Sequence, residues 1–510
     1  MVKLRNFLHL RLLAILIINL IISDVFTQRY LNNTWIFGPW TSDKPDQAII
    51  NELRFNDTGI VEIISYVRPA HVRQAISVLS DNSGKLKVWS NNCSVLNTNL
   101  DTLIGDYRLK EKRTFSYCKF YGGWPFTGSV LILPWPGKED LYQMFYTNDE
   151  NIAFFAEYRH KPFASYLNGA EIDFRKKKEG EITKVWQLLY EDTITVSDLS
   201  ACRHANGRDW WICTPLDAEP CYAIHSFSDT GFAFHHQQCI GIDTFLNDDA
   251  FGQACFSPNG KYYARYNGRY GLHLFSFDNN SGLFDNQRII PSPIQPVISA
   301  IAGVCFSPNS RFLYQLQDGR YIFQYDLFAS DIISSRVLID TLDLTKTSLE
   351  RITSFEYAAL GPDGRIYITG NGNNTYLNVI NRPNCKGKDC DLRQQAIKLP
   401  SRYDGQAPSM PHFIDWGEVY PDCVLTHIEK PNDNFNNINI NVHNKILSVH
   451  VNDNLINSNL SILGIDGKLL GELTISNINE EFLLQDLALG LYFVKIEKGN
   501  LAKYFKIMIF

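Results

Sequence analysis

The sequence predicts an all-β protein whose larger part is built from a repeated unit. Three related stretches carry the repeat: residues 255–262 (CFSPNGKY), 305–312 (CFSPNSRF) and 360–367 (LGPDGRIY). Their prolines are 50 and 54 residues apart. A period of this size indicates a supersecondary unit that cannot bury its apolar face alone. The aromatic residues, 32 Phe and 25 Tyr among them, favour strands.

Turn chemistry explains the repeat. In Ser257-Pro258-Asn259-Gly260, proline presets φ for the second turn position, asparagine suits the third, and glycine accepts a left-handed backbone. Ser310 replaces that glycine, so its turn is expected to be strained or differently shaped. The strands predicted around these turns span residues 261–266, 271–277, 312–316, 321–327 and 365–369.

Weaker copies of the turn lie upstream, at residues 81–85 (DNSGK), 134–137 (PWPG) and 204–209 (HANGRD). The turn positions 84, 137, 207, 260, 310 and 364 are spaced by 53, 70, 53, 50 and 54 residues. Six or seven four-stranded sheets at this spacing would close radially, which hides strand edges. Residues 30–423 are therefore predicted to form a six- or seven-bladed β-propeller. Residues 34–38 (TWIFG) are expected to pair with the last blade and latch the ring.

Charge argues against a nucleic-acid partner. The chain has a net charge of −6, whereas a nucleic-acid binder needs a basic face to displace phosphate counterions. The one basic run, residues 175–178 (RKKK), is flanked by acidic residues and is interpreted as a solvated turn.

The N-terminus has the pattern of a signal peptide. Basic residues precede an apolar run from Leu12 to Ile22, which is too short to span a bilayer. We therefore expect residues 1–27 to be a signal peptide. We also expect an exported protein with no transmembrane segment.

Eleven cysteines in an exported chain make disulfides possible, and the odd number leaves at least one thiol unpaired. Cys385 and Cys390 flank a short polar loop and are predicted to pair. Cys221 and Cys239 are predicted to face each other across a hairpin that turns at residues 228–231.

The composition changes after Cys423. Seven of the thirteen residues 432–444 are Asn, a stretch unlikely to pack a core. Residues 424–440 are therefore interpreted as a linker. Residues 441–510, with short alternating segments such as 492–496 (YFVKI), are predicted to form a small Ig-like β-sandwich.

Two motifs in this tail, residues 462–470 (ILGIDGKLL) and 487–496 (LALGLYFVKI), resemble the type A C-terminal sorting domain of type IX secretion. The tail departs from that family at residues 441–445, where a proline-bearing turn is usual. The resemblance implies the export machinery as partner and passage through the periplasm. The passenger would then be secreted or held on the outer-membrane surface. The residues that carry the motif are Gly467, Lys468, Leu487, Gly490, Tyr492 and Val494.

The passenger, residues 30–423, is similar to uncharacterised propeller-type passengers that precede such tails. The likeness rests on residues 33–38 (NTWIFG), 204–211 (HANGRDWW), the Phe-Ser-Pro-Asn repeats and 376–384 (YLNVINRPN). It implies no activity. More loosely, the repeated hairpin resembles those of lactonase-type and WD-repeat propellers.

Several residues that could bind a metal ion or act as a polar pair also have structural interpretations. His235 and His236 are adjacent on a predicted strand and should point to opposite faces, so they are not expected to chelate one ion. His204 and Asp209 frame a turn and could hydrogen-bond across it. The spacing of the cysteines does not suit zinc.

Residues that could carry sugar chemistry also have structural interpretations. Trp210 and Trp211 should place one ring on each face of a strand, which favours sheet packing over a sugar platform. Glu171 and Asp173 share a strand face as glycosidase acids would. Nearby basic residues give them simpler partners. No catalytic, cofactor or metal residue is therefore predicted.

Two functions from different classes follow. The first is a non-enzymatic surface propeller that binds a glycan, protein or cell-surface partner through its loop face. The second is a secreted propeller hydrolase, lactonase-like or acting on glycans. A third possibility is that the propeller serves only as a spacer. The identity of the ligand or substrate does not follow from the residues.

Overall fold

The computed structural model describes residues 30–39, 49–56, 59–67, 72, 74–111, 118, 123–124, 126–149, 163–217, 219–242, 252–295, 297, 301–346, 354–370, 374–403, 423, 438–443, 445–464, 468–488, 490–498 and 501–509. The chain divides into two compact units, residues 1–424 and 425–510. The predicted signal peptide and most of the predicted linker lie outside the described residues.

The described part of the first unit contains seven antiparallel sheets, numbered here in chain order. Sheet 1 has three strands, β1 (Thr34–Phe37), β2 (Ile49–Asn56) and β3 (Gly59–Val67). Sheet 2 has β4 (Ser77–Ser80), β5 (Leu86–Ser90) and β6 (Val95–Asn97). Sheet 3 has four, β7 (Val130–Pro134), β8 (Leu141–Asp149), β9 (Ala164–Asp173) and β10 (Glu181–Ile194).

The next four sheets each have four described strands. Sheet 4 has β11 (Ser200–Arg203), β12 (Trp210–Pro215), β13 (Cys221–Ser228) and β14 (Gly231–Cys239). Sheet 5 has β15 (Gln253–Phe256), β16 (Tyr262–Asn267), β17 (Gly271–Asp278) and β18 (Leu283–Ile290). Sheet 6 has β19 (Ala302–Phe306), β20 (Phe312–Gln317), β21 (Tyr321–Asp326) and β22 (Val337–Thr341). Sheet 7 has β23 (Tyr357–Leu360), β24 (Ile366–Thr369), β25 (Asn374–Ile380) and β26 (Leu392–Tyr403).

The repeated turns join the first and second strands of sheets 2 to 7. All six turn positions have a left-handed backbone, with φ of +66° at Gly260 and +58° at Ser310. The Ser310 turn has the same closing hydrogen bond, from its own N–H to the Ser307 carbonyl at 2.8 Å. The expectation of a differently shaped turn was therefore wrong. The positive φ of a serine is the strain that the sequence predicted.

The seven sheets form a closed cycle of contacts, because each packs against the next and sheet 7 packs against sheet 1. The latch predicted at residues 34–38 was wrong, since β1 pairs with β2 rather than with sheet 7. The cycle closes by packing instead. The ring of Trp35 meets that of Tyr367 at 5.3 Å.

Amide side chains join many of the sheets. In each case the amide donates to a carbonyl and accepts from a backbone N–H of a neighbouring element, as another strand would; we call these pairs amide clamps. Asn51 of sheet 1 clamps Ser401 of sheet 7 in this way, with both distances 3.2 Å. The other clamps are Gln238 on Phe284, Gln253 on Ala358, Gln287 on Ile242, Gln317 on Ile294, Gln324 on residues 385 and 387, and Gln394 on residues 341 and 343.

The described residues form three disulfides, Cys93–Cys118, Cys221–Cys239 and Cys385–Cys423. The pairing of Cys221 with Cys239 is the predicted one, and the two residues are directly opposed in the β13–β14 ladder. The predicted pairing of Cys385 with Cys390 was wrong. Cys390 ends a short 3₁₀ helix (Gly387–Cys390) and is wholly buried in the apolar cluster of sheets 6 and 7. Burial raises the pKa of its thiol to about 12.

The described part of the second unit consists of two sheets on one apolar core. One has β27 (Asn439–His443), β28 (Ile446–His450) and β31 (Asn479–Leu483). The other has β29 (Ser458–Leu463), β30 (Leu469–Ile475), β32 (Gly490–Lys498) and β33 (Leu501–Ile509).

The predicted boundary at residue 441 falls inside β27. Although this stretch is rich in Asn, its apolar residues alternate: Ile438 is buried, and Ile440 and Val442 pack against the core. A period of two is enough to make a half-buried strand. Besides these strands, the described residues include 3₁₀ helices at Asp106–Glu111, Leu344–Lys346 and Asp453–Leu455. None of the described helices is long and apolar enough to cross a membrane.

Candidate functional site

The described sorting residues lie just before β30 and at or just before the start of β32, and both strands pair with β29. Gly467 lies outside the described residues, and exposed Lys468 immediately precedes β30. Gly490 opens β32, in which Val494 is fully buried. Leu487 and Tyr492 are half-buried and pack against the core, so Lys468 is the exposed member of the described set.

The segment before β32 is held by hydrogen bonds. The Tyr492 hydroxyl donates to the Ala488 carbonyl at 3.0 Å. The Lys445 ammonium donates to the Leu487 carbonyl at 2.9 Å. The second motif thus fixes a backbone conformation at the start of β32.

In the first unit, Gln253 occupies the point where the first strands of three sheets meet. Its Nε2 donates to the Ala358 carbonyl at 2.7 Å. Its Oε1 accepts from the N–H groups of Ala358 (3.2 Å) and Val304 (3.1 Å). Sheets 5, 6 and 7 are thereby tied together by one side chain. Its polar atoms are committed to this role, so Gln253 is a structural residue.

A buried ion pair joins the segment that enters sheet 4 to sheet 5. Arg265 Nε donates to Asp198 Oδ2 at 2.8 Å, and both side chains are 2% exposed. Burial lowers the pKa of nearby His273 to about 3, and the positive charge of Arg265 contributes to this shift. His273 is therefore neutral over the physiological range. The charges of this region stabilise one another rather than face solvent.

His235 and His236 lie in a different arrangement from the predicted one. Their Nδ1 atoms are 2.7 Å apart. The β13–β14 register shifts between the pairs Ile224–His236 and His225–Phe234, which leaves His235 as the extra residue of a β-bulge. A bulge interrupts the alternation of faces, so the expectation of opposite faces was wrong.

The 204–209 turn is built around Asn206, which the sequence placed only at its tip. Its N–H donates to His204 Nδ1 at 3.0 Å, and its amide donates to the Asp209 carboxylate at 2.8 Å. His204 and Asp209 are thus linked through Asn206, in addition to the bond from the His204 N–H to the Asp209 carbonyl. Through these hydrogen bonds, His204 and Asp209 stabilise the turn.

The tryptophan pair and the carboxylate pair of the sequence analysis also have structural partners. Trp210 and Trp211 belong to different apolar clusters, one on each face of sheet 4. Asp173 is bonded by Arg175, which holds the pKa of its carboxyl below its usual value. Burial opposes ionisation of Glu171, but hydrogen bonds from Thr183 and Lys184 outweigh burial and lower its pKa. Both carboxylates are therefore ionised and paired, whereas a glycosidase acid must hold its proton near neutral pH.

An aromatic pair of one exposed and one half-buried ring lies on the last strands of sheets 3 and 4. Tyr190 and Phe234 stack at 5.4 Å with an angle of 13° between their rings. Phe234 is 49% exposed. The Tyr190 hydroxyl lies 3.0 Å from Asp192 Oδ2 and 3.1 Å from Gln237 Oε1. The result is an apolar ring beside a carboxylate and an amide, open to solvent.

The described residues contain no group of three or more His, Cys, Asp or Glu side chains placed to hold a metal ion. Sequence reasoning missed Gln253, the Asp198–Arg265 pair and the Tyr190–Phe234 stack. Their partners lie 105, 67 and 44 residues away in the chain. No local sequence pattern predicts such contacts.

Comparison with known proteins identifies the tail. Residues 431–510 match the secretion system C-terminal sorting domain. The tail is therefore a type IX sorting domain, and it indicates export and a cell-surface or secreted location. No curated protein matches the chain.

Solved structures with similarity to the chain include a protein from Lactobacillus plantarum (12% identity, TM-score 0.42, 73% of this chain and 98% of that chain). Another is a proposed 6-phosphogluconolactonase from Bacteroides fragilis (10%, 0.38, 73% and 96%). A third is the Dos1 propeller (10%, 0.36, 65% and 73%). At values this low, the likenesses carry no inference about the activity of this chain.

Proposed function

We propose that this protein is a type IX-secreted, seven-bladed β-propeller that binds a glycan at the cell surface. In this proposal residues 1–27 are a signal peptide, residues 30–423 the propeller, and the tail an Ig-like sandwich. The cycle of seven sheets supports seven blades over six.

The Tyr190–Phe234 stack is the observation that carries the proposal of a binding function. A flat, exposed ring with hydrogen-bonding groups at its edge suits a sugar, whose ring has an apolar face and a polar rim. Gln253 and the Asp198–Arg265 pair, by contrast, are engaged within the fold. Groups held in this way are poorly placed for catalysis.

Glycan and peptide arrays probed with the exported protein test the binding function. We expect glycan binding that Phe234→Ala removes. Leu283→Ala is the matched control, because Leu283 is 48% exposed on the last strand of sheet 5. Binding to peptides alone would show a protein partner instead. Turnover in a parallel panel of lactones and glycosides would favour the hydrolase.

Deletion of residues 433–510 tests the route of export. Because the sorting domain is the address for the type IX machinery, the truncated protein should remain in the periplasm. Fractionation and surface labelling measure this. Unchanged delivery to the surface would refute the proposed route without touching the binding proposal.

A further inference from the structure

We propose that the stack of Tyr190 and Phe234 selects an amino sugar, that is, a sugar that carries a protonated amine. This selectivity rests on the proposed glycan binding and names the class of sugar. It follows from the groups at the edge of the stack, because the Asp192 carboxylate and the Gln237 amide both contact the Tyr190 hydroxyl.

The exposed ring of Phe234 provides the face on which the sugar would lie. Phe234 is 49% exposed, and Tyr190 stacks against it with an angle of 13° between the rings. The face of an aromatic ring carries negative charge density and attracts an ammonium group. The apolar face of a sugar and a protonated amine on the same sugar would therefore both be stabilised at Phe234.

The polar edge of the stack has more acceptors than donors. The Tyr190 hydroxyl lies 3.0 Å from Asp192 Oδ2 and 3.1 Å from Gln237 Oε1. A hydroxyl has one hydrogen and can donate to only one of these oxygens at a time. An ammonium group brings three N–H donors and a positive charge, so it complements this edge. An acidic sugar would instead be repelled by the Asp192 carboxylate.

The ionisation of the neighbouring rings supports this charge preference. Burial and the Asp192 carboxylate raise the pKa of Tyr190, so its hydroxyl keeps the hydrogen. The ring of His225 meets that of Tyr190 edge to face at 5.0 Å. Burial lowers the pKa of His225 to about 3. His225 is therefore neutral at physiological pH and does not repel an ammonium group.

The same buried ring holds the stack in place before a ligand binds. His225 is fully buried and packs against Phe232 at 4.9 Å as well as against Tyr190. An aromatic surface that is already ordered loses little conformational freedom when a ligand binds.

Calorimetric titration of the full-length exported protein with three matched trisaccharides tests the selectivity. The glucosamine trisaccharide has an amine on each ring, cellotriose has a hydroxyl in that place, and the N-acetylglucosamine trisaccharide has a neutral amide. In slightly acidic buffer, where the amine is protonated, the first should bind about 10-fold more tightly than either neutral sugar. Because the preference is electrostatic, it should decrease as salt is added.

Two carboxylate variants with the same change of charge show where the preference arises. Asp192→Asn should remove it, so that the three sugars bind alike. Glu191→Gln is the matched control, because Glu191 is exposed and follows Tyr190 in the regular part of the β9–β10 pairing, where adjacent side chains point to opposite faces. This control should keep the preference.

The possible failures separate this selectivity from the glycan proposal. Equal affinity for the three sugars, with binding still lost in Phe234→Ala, would overturn the selectivity and leave glycan binding standing. A preference that survives Asp192→Asn would also overturn it. Tighter binding of a lysine derivative with blocked backbone groups would show that the site takes a peptide amine instead. Failure to bind any sugar, here and on the glycan array, would overturn both proposals.

Discussion

Two regions of the first unit are held together by different forces. Sheets 2 to 4 share one large apolar cluster that runs from Leu31 to Phe227. Sheets 5 to 7 have smaller apolar clusters. Six of the seven amide clamps have a residue in sheet 5, 6 or 7 and none in sheets 1 to 3. Similar antiparallel sheets can therefore be joined by apolar burial, which has no direction, or by hydrogen bonds, which fix geometry.

The difference explains where the sequence repeat is visible. Clamps require a side-chain amide and a backbone group at fixed positions, and the turns of sheets 5 to 7 recur at intervals of 50 and 54 residues. An apolar cluster tolerates variation in length, and the upstream interval between residues 137 and 207 is 70. The longest interval thus falls in the region joined by apolar burial, although the interval between residues 84 and 137 of that region is 53.

A substitution at the junction between the two regions, where Asp198 pairs with Arg265, should cause the largest loss in the free energy of unfolding. Asp198→Ala leaves Arg265 charged and buried without its carboxylate. Breaking a buried pair from one side costs about 3–5 kcal/mol. Urea unfolding followed by tryptophan fluorescence measures this, since all nine tryptophans lie in the first unit.

Glu62→Ala is the control for the ion pair, because Glu62 is 52% exposed in its contact with Arg54. Its effect should stay below about 1 kcal/mol. Equal losses in the two variants would mean that burial of the Asp198–Arg265 pair does not matter.

In the apolar region, truncation of Leu131 should be costly. Leu131 lies on β7 and is 1% exposed. Leu131→Ala removes a packed side chain and leaves a cavity, at about 2–5 kcal/mol. The same chemical change at Leu283, 48% exposed, should cost far less in the same unfolding assay. A small loss at Leu131 would show that the cluster does not hold this region.

In the clamped region, Gln253→Met keeps the size of the side chain and removes its hydrogen bonds. The N–H groups of Val304 and Ala358 then lose their acceptor. Buried donors without partners should lower the free energy of unfolding by about 2–4 kcal/mol.

Gln238→Met is the matched control, because Gln238 clamps Phe284 at a partly buried place where water can substitute. We expect a loss of about 1 kcal/mol or less there. A loss at Gln253 no larger than at Gln238 would contradict the role assigned to the central clamp.

The smallest effects should come from the repeated turns. Gly260→Ser introduces a side chain at φ +66°, where a Cβ would lie 2.9 Å from the Asn279 amide, and should cost about 1–2 kcal/mol. Ser310→Gly relieves the strain but loses the hydroxyl that accepts from the Asn259 N–H at 3.1 Å. These effects should nearly cancel in calorimetry. A gain well above 1 kcal/mol would show that the Asn259 bond contributes little.

The sequence predicted what is local. Turns, strand periods and the sorting motifs each depend on a few neighbouring residues, and Gly260 or Tyr492 can be interpreted without the rest of the chain. The disulfide of Cys385 could not be predicted this way, because its partner is 38 residues away and the nearer Cys390 faces a core. The bulge at His235 has no glycine or proline to mark it. The contact between His235 and His236 could therefore not be predicted from the sequence either.

Amide hydrogen exchange at Val304 and Ala358 tests most directly that side-chain amides hold the sheets together. In the wild-type protein both N–H groups should exchange as slowly as ladder amides, since Gln253 Oε1 accepts from both. In Gln253→Met they should exchange much faster, while the Ile132 N–H, bonded to the Ser77 hydroxyl in the apolar region, stays protected. Unchanged slow exchange at both groups in the variant would contradict the account.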